Sequence, residues 1–216
     1  RLSILIFHRV LDSYDFMRPD EVTAPEFDAK MRLIARYFTP LSLSDAVDRL
    51  KEGTLPKRAI CVTFDDGYRD NAEVAYPILK KWNIPATFFV ANGFLDGGRM
   101  WNDTVIETIR NSQRENRLPQ KKWLEYSQRE SLNLSDIDLG VFETNSAQQK
   151  ERSAQSIIRK IKHNSQVERD KKVEFISTHT KFLPNNLMMD STQVKSMSDF
   201  GISIGGHTVT HPILAK

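Results

Sequence analysis

Two adjacent acids follow an apolar, β-favouring run in the stretch AICVTFDDGYRDN, residues 59–71. Burying Asp65 and Asp66 side by side costs free energy, because like charges repel and each carboxylate loses its water. A bound divalent cation would offset that cost. The alternative is a solvated turn, which is the more common meaning of D-D-G by itself.

Three histidines follow other apolar runs. His8 comes directly after LSILIF, and His207 and His211 stand four residues apart after a short apolar segment. Two imidazoles and one carboxylate, with a position left open, are a ligand set that catalytic zinc sites use. H-x-x-x-H alone is weak evidence, but its presence at a strand end together with D-D-G is more specific. Because Pro212 disfavours a helical His211, we expect a loop or a single turn there.

The elements around these residues alternate between strand and helix, which predicts an α/β fold. Consecutive strands joined by a helix are parallel, so their carboxyl ends lie at one edge, where ligand sites form. This topology would bring His8, the two acids and the histidine pair together. We predict buried strands at 2–7, 59–64, 87–90 and 202–204, and helices at 26–37, 44–52, 70–82 and from 191 onward.

Local signals set the expected ends of these helices. Ser44 is the predicted N-cap of the second helix and Gly53 its stop. Asp70 and Glu73 have the spacing of a capping box, and Pro77 should kink the helix that follows or set its true start. Because side chains alternate along a strand, Asp65 and Asp66 should diverge, one towards a metal and the other towards a substrate.

Composition is that of an ordinary globular domain, with 216 residues, 39% hydrophobic and 27% charged. The net charge of +3 and the lack of a basic, aromatic-rich patch give no reason to expect a nucleic-acid partner. We expect no membrane span. The single cysteine, Cys61, is predicted to be a small buried hydrophobe. Since the chain begins at Arg1, we expect its native start upstream, which leaves cytoplasm and cell envelope both open.

The segment from about 97 to 190 differs in character, being polar and helical in propensity. We predict a mostly helical insertion in a single domain spanning 1–216. His163 and His179 lie in it and are expected to be surface residues. Tyr68 and Trp101 follow predicted strands of the active edge, where each could stack on a sugar or equally be part of the packing.

Three motifs together resemble the polysaccharide deacetylase family, also called the NodB-homology domain or carbohydrate esterase family 4. TFDDG at 63–67 matches its first motif, HTVTHP at 207–212 matches its second, H-[ST]-x-x-H-P, and FHRV at 7–10 is similar to the opening of one branch. The resemblance implies a distorted (β/α) barrel with fewer than eight units. It also implies Asp65 as catalytic base and Asp66, His207 and His211 as ligands of a divalent metal, usually Zn²⁺.

Further family motifs, including the one that supplies the general acid, lie downstream of the histidine pair, whereas this chain stops at Lys216. We therefore expect a domain incomplete at its C-terminus, which need not be active by itself. The implied function is removal of N-acetyl groups from a polysaccharide or oligosaccharide, with His8, Tyr68 and Trp101 as candidate substrate-binding residues.

Three other functions share parts of this pattern. The same site could serve a carbohydrate O-acetyl esterase, or it could persist in an inactive, metal-containing carbohydrate-binding relative. A phosphatase of the haloacid dehalogenase type also begins with strand-end aspartates. It needs one residue between them, which F-D-D-G does not provide.

Overall fold

The computed structural model describes residues 1–112 and 131–212. These residues form two compact units, one made of 1–15, 20–98 and 186–211, and the other containing the described residues within 16–19, 99–185 and Pro212. Each unit has its own apolar core. The predicted α/β class is confirmed, whereas the single domain with a helical insertion stays a prediction.

The first unit is a parallel sheet with helices packed against it. Its central strand β5 is buried along its whole length between β1 on one side and β4 and β6 on the other, and β9 pairs with β6. All of these pairs are parallel. The elements are β1 (Leu2–Phe7), β2 (Val10–Leu11), β3 (Val22–Thr23), α1 (Ala24–Tyr37), β4 (Thr39–Pro40), α2 (Leu43–Glu52), β5 (Ala59–Phe64), α3 (Tyr76–Lys81), β6 (Ala86–Val90), α7 (Ser191–Asp199) and β9 (Ser203–Gly206).

Within its described residues, the second unit contains three α-helices and a β-hairpin. Its elements are α4 (Trp101–Asn111), the antiparallel pair β7 (Ser131–Asn133) and β8 (Val141–Glu143), α5 (Ala147–Ile161) and α6 (Gln166–Ser177). Ile109, Ile157, Ile161 and Ile176 are fully buried in its core. Among the described residues, no helix combines the length and the apolar character that crossing a membrane requires.

Phenylalanines fill the core of the first unit. Phe64 and Phe88 stack with ring centroids 4.5 Å apart. Phe7 and Phe27 pack against Phe64 at 5.4 and 5.7 Å and against each other at 5.2 Å. These rings come from the predicted strands and from α1, so the apolar runs that predicted the strands also form the core. Cys61 is fully buried, as predicted.

The prediction that β1 is fully buried is wrong. Ile4 and Ile6 expose 46% and 62% of their surface, while Leu5 and Phe7 pack on the core. Side chains alternate along β1, so Leu5 and Phe7 lie on the face that packs against the core, while Ile4 and Ile6 lie on the opposite face, which the described residues leave open. An apolar run alone does not show whether both faces of a strand are covered.

Two predicted helix caps are also wrong. Ser42, not Ser44, caps α2, because its side-chain oxygen accepts the N–H of Asp45; Gly53 ends the helix with a φ of 72°, as predicted. Asp70 makes no capping hydrogen bond, and its carboxylate instead pairs with Arg9. A π-helical turn precedes Tyr76, so Pro77 lies in the first turn of α3 and marks its true start, one of the two predicted outcomes.

Arg18 provides a stability test for the second unit. Its guanidinium is 8% exposed and pairs with Asp103 at 3.0 Å and Glu107 at 2.9 Å. Arg18→Ala leaves two buried carboxylates without this partner, so we expect a loss of about 3–5 kcal/mol in the free energy of unfolding. Urea denaturation of wild type and variant measures the loss.

Lys195→Ala is the matched control, since Lys195 and Asp199 form an ion pair that is mostly exposed. It should cost no more than about 0.5 kcal/mol. Equal losses for the two variants would contradict the structural role given to Arg18.

Candidate metal centre

The carboxyl ends of three parallel strands lie at one edge of the first unit. Asp65 and Asp66 follow β5, His207 follows β9, and His8 follows β1. β6 lies between β5 and β9, and the backbone at its C-terminal end forms hydrogen bonds with residues that follow both strands. The Val90 carbonyl accepts the N–H of His207 at 2.9 Å, and the Ala91 N–H donates to the carbonyl of Asp66 at 3.1 Å.

Asp66, His207 and His211 converge around one point. The Nε2 atoms of His207 and His211 lie 3.5 Å and 3.3 Å from Oδ1 of Asp66. One ligand atom from each of the three residues lies within 4.8 Å of the others. The structure thus brings together the three residues expected to be metal ligands, and their role as ligands stays a prediction.

The backbone around these ligands is left-handed at several non-glycine positions. Asp66 has a φ of 76°, Thr208 of 63° and His211 of 48°. Such conformations cost roughly 1–3 kcal/mol each and persist where surrounding contacts fix them. The hydroxyl of Thr208 accepts the N–H of His211 at 3.0 Å and closes the loop. His211 therefore lies in a loop, as Pro212 predicts.

A glycine allows the acidic turn to approach β6. Gly67 has a φ of 88°, and a Cβ built on it would lie 2.8 Å from Cγ1 of Val90. Its N–H donates to the carbonyl of Asp65, which makes a tight turn directly after β5. The glycine of D-D-G thus serves both the turn and the close packing beneath the site.

Asp66 carries the electrostatic cost of the site. Asp66 is only 5% exposed, and its Oδ1 atom is buried and accepts no hydrogen bond from the described residues. Burial raises the pKa of its carboxyl above the ordinary value and the charge of Asp65 adds to this, while His211, His8 and His207 act in the opposite direction. A buried acceptor facing two imidazole nitrogens fits a divalent cation, and an oxygen–nitrogen–nitrogen donor set suits zinc or a related metal.

Asp65 lies beside this cluster without being part of it. It is half-buried, and its N–H donates to the carbonyl of Phe7 at 2.9 Å. β5 ends at Phe64, so the turn around Asp66, rather than strand alternation, determines how the two acids separate. The reason given for their divergence is therefore wrong. The role of Asp65 as a base stays a prediction.

His8 is held by side chains that the sequence did not single out. Its carbonyl accepts from Nδ2 of Asn71, a fully buried residue, and its imidazole is exposed. The next residue, Arg9, pairs with Asp70 at 2.7 Å. Asp70 and Asn71 follow D-D-G closely in sequence, and that proximity is the available signal, whereas the D-N-A-E pattern by itself predicts a capping box.

The two aromatic candidates lie in different units. Tyr68 is 3% exposed, and the guanidinium of Arg9 lies 4.4 Å from its ring centre. A ring buried in this way has no open face for a sugar, so the packing alternative applies to Tyr68. Trp101 begins α4 in the second unit, with the guanidinium of Arg169 at 5.1 Å from its ring; its role in binding stays a prediction.

His179 is not a surface histidine without partners. Its Nδ1 lies 3.2 Å from the carbonyl oxygens of Phe175 and Ile176 at the end of α6. It also lines a small cavity in the second unit. These contacts indicate that His179 has a structural role in the second unit.

Comparison with known proteins identifies relatives of part of the chain. The family model described as polysaccharide deacetylase matches residues 52–115. YxkH of Bacillus subtilis, which carries the name of a polysaccharide deacetylase, is 34% identical over 92 residues, 42% of this chain and 32% of YxkH. A poly-β-1,6-N-acetyl-D-glucosamine N-deacetylase of Staphylococcus aureus is 36% identical over 86 residues, 39% of this chain and 30% of the relative. The match thus spans about a third of the length of these relatives.

Solved structures of deacetylases are more distant. A de-N-acetylase from Aggregatibacter actinomycetemcomitans is 19% identical with a TM-score of 0.48, and the match covers 96% of this chain and 55% of that one. IcaB from Ammonifex degensii is 18% identical with a TM-score of 0.40, and the match covers 100% and 91% of the two chains.

The electrostatics of Asp66 predict how affinity for Zn²⁺ depends on pH. Metal ligation needs neutral imidazoles and an ionised carboxylate, and the raised pKa of Asp66 means that protons compete for it at higher pH than for an ordinary aspartate. We expect affinity to fall as the pH is lowered, and the fall to begin at a higher pH than an ordinary aspartate ligand would give. Titration calorimetry at a series of pH values measures it, and an affinity that does not change with pH would contradict the ligand assignment.

Proposed function

We propose that the protein this chain forms part of is a metal-dependent hydrolase of the polysaccharide deacetylase family, which removes N-acetyl groups from a polysaccharide or oligosaccharide; the family model matching residues 52–115 supports this. The observation that carries the proposal is the convergence of Asp66, His207 and His211 beside Asp65. The S. aureus relatives are named for poly-β-1,6-N-acetyl-D-glucosamine, which makes that polymer the first substrate to test.

We propose Asp66, His207 and His211 as the ligands of one divalent cation, most simply Zn²⁺. The buried Oδ1 of Asp66, with two imidazole nitrogens within 3.5 Å, supports this assignment. A cation bound there would polarise the acetyl carbonyl and make a water molecule more acidic. We also propose that the whole domain has the family's distorted (β/α) barrel. The parallel sheet of the first unit would form part of that barrel.

Asp65 is the proposed general base. It is next to the ligand Asp66 in sequence, follows the same strand and lies outside the cluster of three. In amide hydrolysis a water oxygen adds to the acetyl carbon, and a carboxylate oxygen of Asp65 takes the proton that the water gives up. The carbon–nitrogen bond then breaks, and the departing amine needs a proton.

His8 is the proposed substrate-facing residue. It follows β1 at the same edge, its imidazole is exposed, and its charge acts on the pKa of Asp66, so it lies within electrostatic range of the ligands. An imidazole can donate or accept a hydrogen bond, so at this position it can orient the sugar or its acetyl group. The buried amide of Asn71 fixes its backbone.

Exchanging each acid for its amide separates the two proposed roles. Asp65→Asn should keep zinc and lose activity by about 10²–10⁴-fold, the usual contribution of a general base. Asp66→Asn should lose both zinc and activity, because it removes the anionic ligand. Zinc content is measured by metal analysis, and activity as free amine released from N-acetylglucosamine oligomers by the full-length protein.

Each outcome decides a different part of the proposal. Unchanged zinc content in Asp66→Asn would remove that residue from the metal site. Acetate released from acetylated xylan but not from the N-acetylated oligomers would identify an O-acetyl esterase. Zinc and glycan binding without turnover of either substrate would identify an inactive carbohydrate-binding relative.

His8→Ala tests the third role. We expect turnover to fall by about 10²-fold with zinc content unchanged, because His8 would orient the substrate from outside the ligand cluster. His163→Ala, in the second unit, is the matched control and should retain wild-type turnover. If turnover of His8→Ala equals that of the control, His8 has no part in the reaction.

A further inference from the structure

A short turn after β6 packs against the loop that carries the histidine pair. The turn spans Asn92–Phe94, and the N–H of its central residue, Gly93, donates to the carbonyl of Val209 at 3.0 Å. Val209 lies midway between His207 and His211 in sequence. This hydrogen bond therefore fixes the middle of the loop whose two ends carry imidazoles of the candidate metal centre.

The contact requires a residue without a side chain. A Cβ built on Gly93 would lie 2.3 Å from the Val209 oxygen and 3.1 Å from both its carbonyl carbon and its Cγ1. The nearest of these atoms is backbone, which cannot rotate away as the end of a long side chain can. Any larger residue at 93 must therefore displace the histidine loop or the turn.

The same segment contacts the other ligands through backbone hydrogen bonds. Val90 accepts from His207, and Ala91 donates to Asp66. Residues 90–93 thus form hydrogen bonds with the backbone at both sides of the cluster. Because Thr208 and His211 are left-handed, the loop needs outside contacts to keep its shape, and the contact with Gly93 is one of them.

We propose that Gly93 is a positioning residue for the metal centre. The absence of a side chain at 93 lets the turn press on Val209 and hold His207 and His211 at their short distances from Asp66. The inference rests on the proposed metal site and adds a residue outside its ligand set. A shift of the loop by a few tenths of an ångström moves imidazole nitrogens whose ligand distances allow little variation.

Gly93→Ala tests this, with Gly206→Ala as the matched control. Gly206 is next to His207, yet a Cβ built there meets nothing within 4 Å. We expect Gly93→Ala to weaken Zn²⁺ affinity by about 10- to 100-fold, the range seen when residues that orient ligands are changed, and Gly206→Ala to keep it. Competition with a chelator gives the affinity, and the visible spectrum of the Co²⁺-substituted protein reports the ligand geometry.

Failure of the proposed metal site can be distinguished from failure of the proposed role of Gly93. If Asp66→Asn binds Zn²⁺ as wild type does, the metal site itself is wrong. If Asp66→Asn loses Zn²⁺ while Gly93→Ala keeps wild-type affinity and an unchanged Co²⁺ spectrum, the metal site stands and the role of Gly93 is overturned. Equal weakening in Gly93→Ala and Gly206→Ala would also overturn it, because the effect would not depend on the contact with Val209.

A measurement on the wild-type protein decides the question if Gly93→Ala does not fold. The Gly93 amide should exchange with solvent at least about 10-fold more slowly than an unstructured amide, with or without Zn²⁺, because its hydrogen bond exists before the metal binds. Exchange at the unstructured rate in the metal-free protein would contradict a preformed contact.

Discussion

The buried carboxylate of Asp66 is the constraint on which the arrangement of the first unit depends. A 5% exposed acid whose inner oxygen accepts no hydrogen bond from the described residues is unfavourable by itself, and the adjacent Asp65 adds to the cost. Two imidazoles within 3.5 Å of that oxygen reduce the cost when charged, and a cation would do so more strongly. The site therefore resembles a coordination sphere more than a hydrogen-bonded core.

The parallel sheet places ligands from distant parts of the sequence beside one another. Asp66 and His207 are 141 positions apart in the sequence, yet only β6 lies between their strands. β6 supplies no ligand, but its last residue, Val90, and the following Ala91 form hydrogen bonds to the backbone of His207 and Asp66 respectively. The spacing of the ligands is thus determined by main-chain hydrogen bonding, which substitutions on the surface of the strands leave intact.

The fold class and the converging residues could be predicted because they depend on patterns local to the chain. Apolar runs gave the strands, and polar residues at their ends gave the edge where Asp66, His207 and His211 lie. Three features could not be read in this way. The exposure of Ile4 and Ile6 depends on what packs on each face of the sheet, the pairing of Asp70 with Arg9 depends on a tertiary contact, and the position of Asp66 relative to Asp65 depends on a left-handed turn.

Metal binding and the conformation of the histidine loop must be coupled if the ligand assignment holds. The loop contains two left-handed residues without the freedom of glycine, so it is strained whether or not a cation is present. Contacts with Thr208 and Gly93 offset part of that strain in advance, which leaves less ordering for the metal to impose. A preorganised loop should raise affinity without adding a ligand, because the free energy released on coordination is not spent on fixing the backbone.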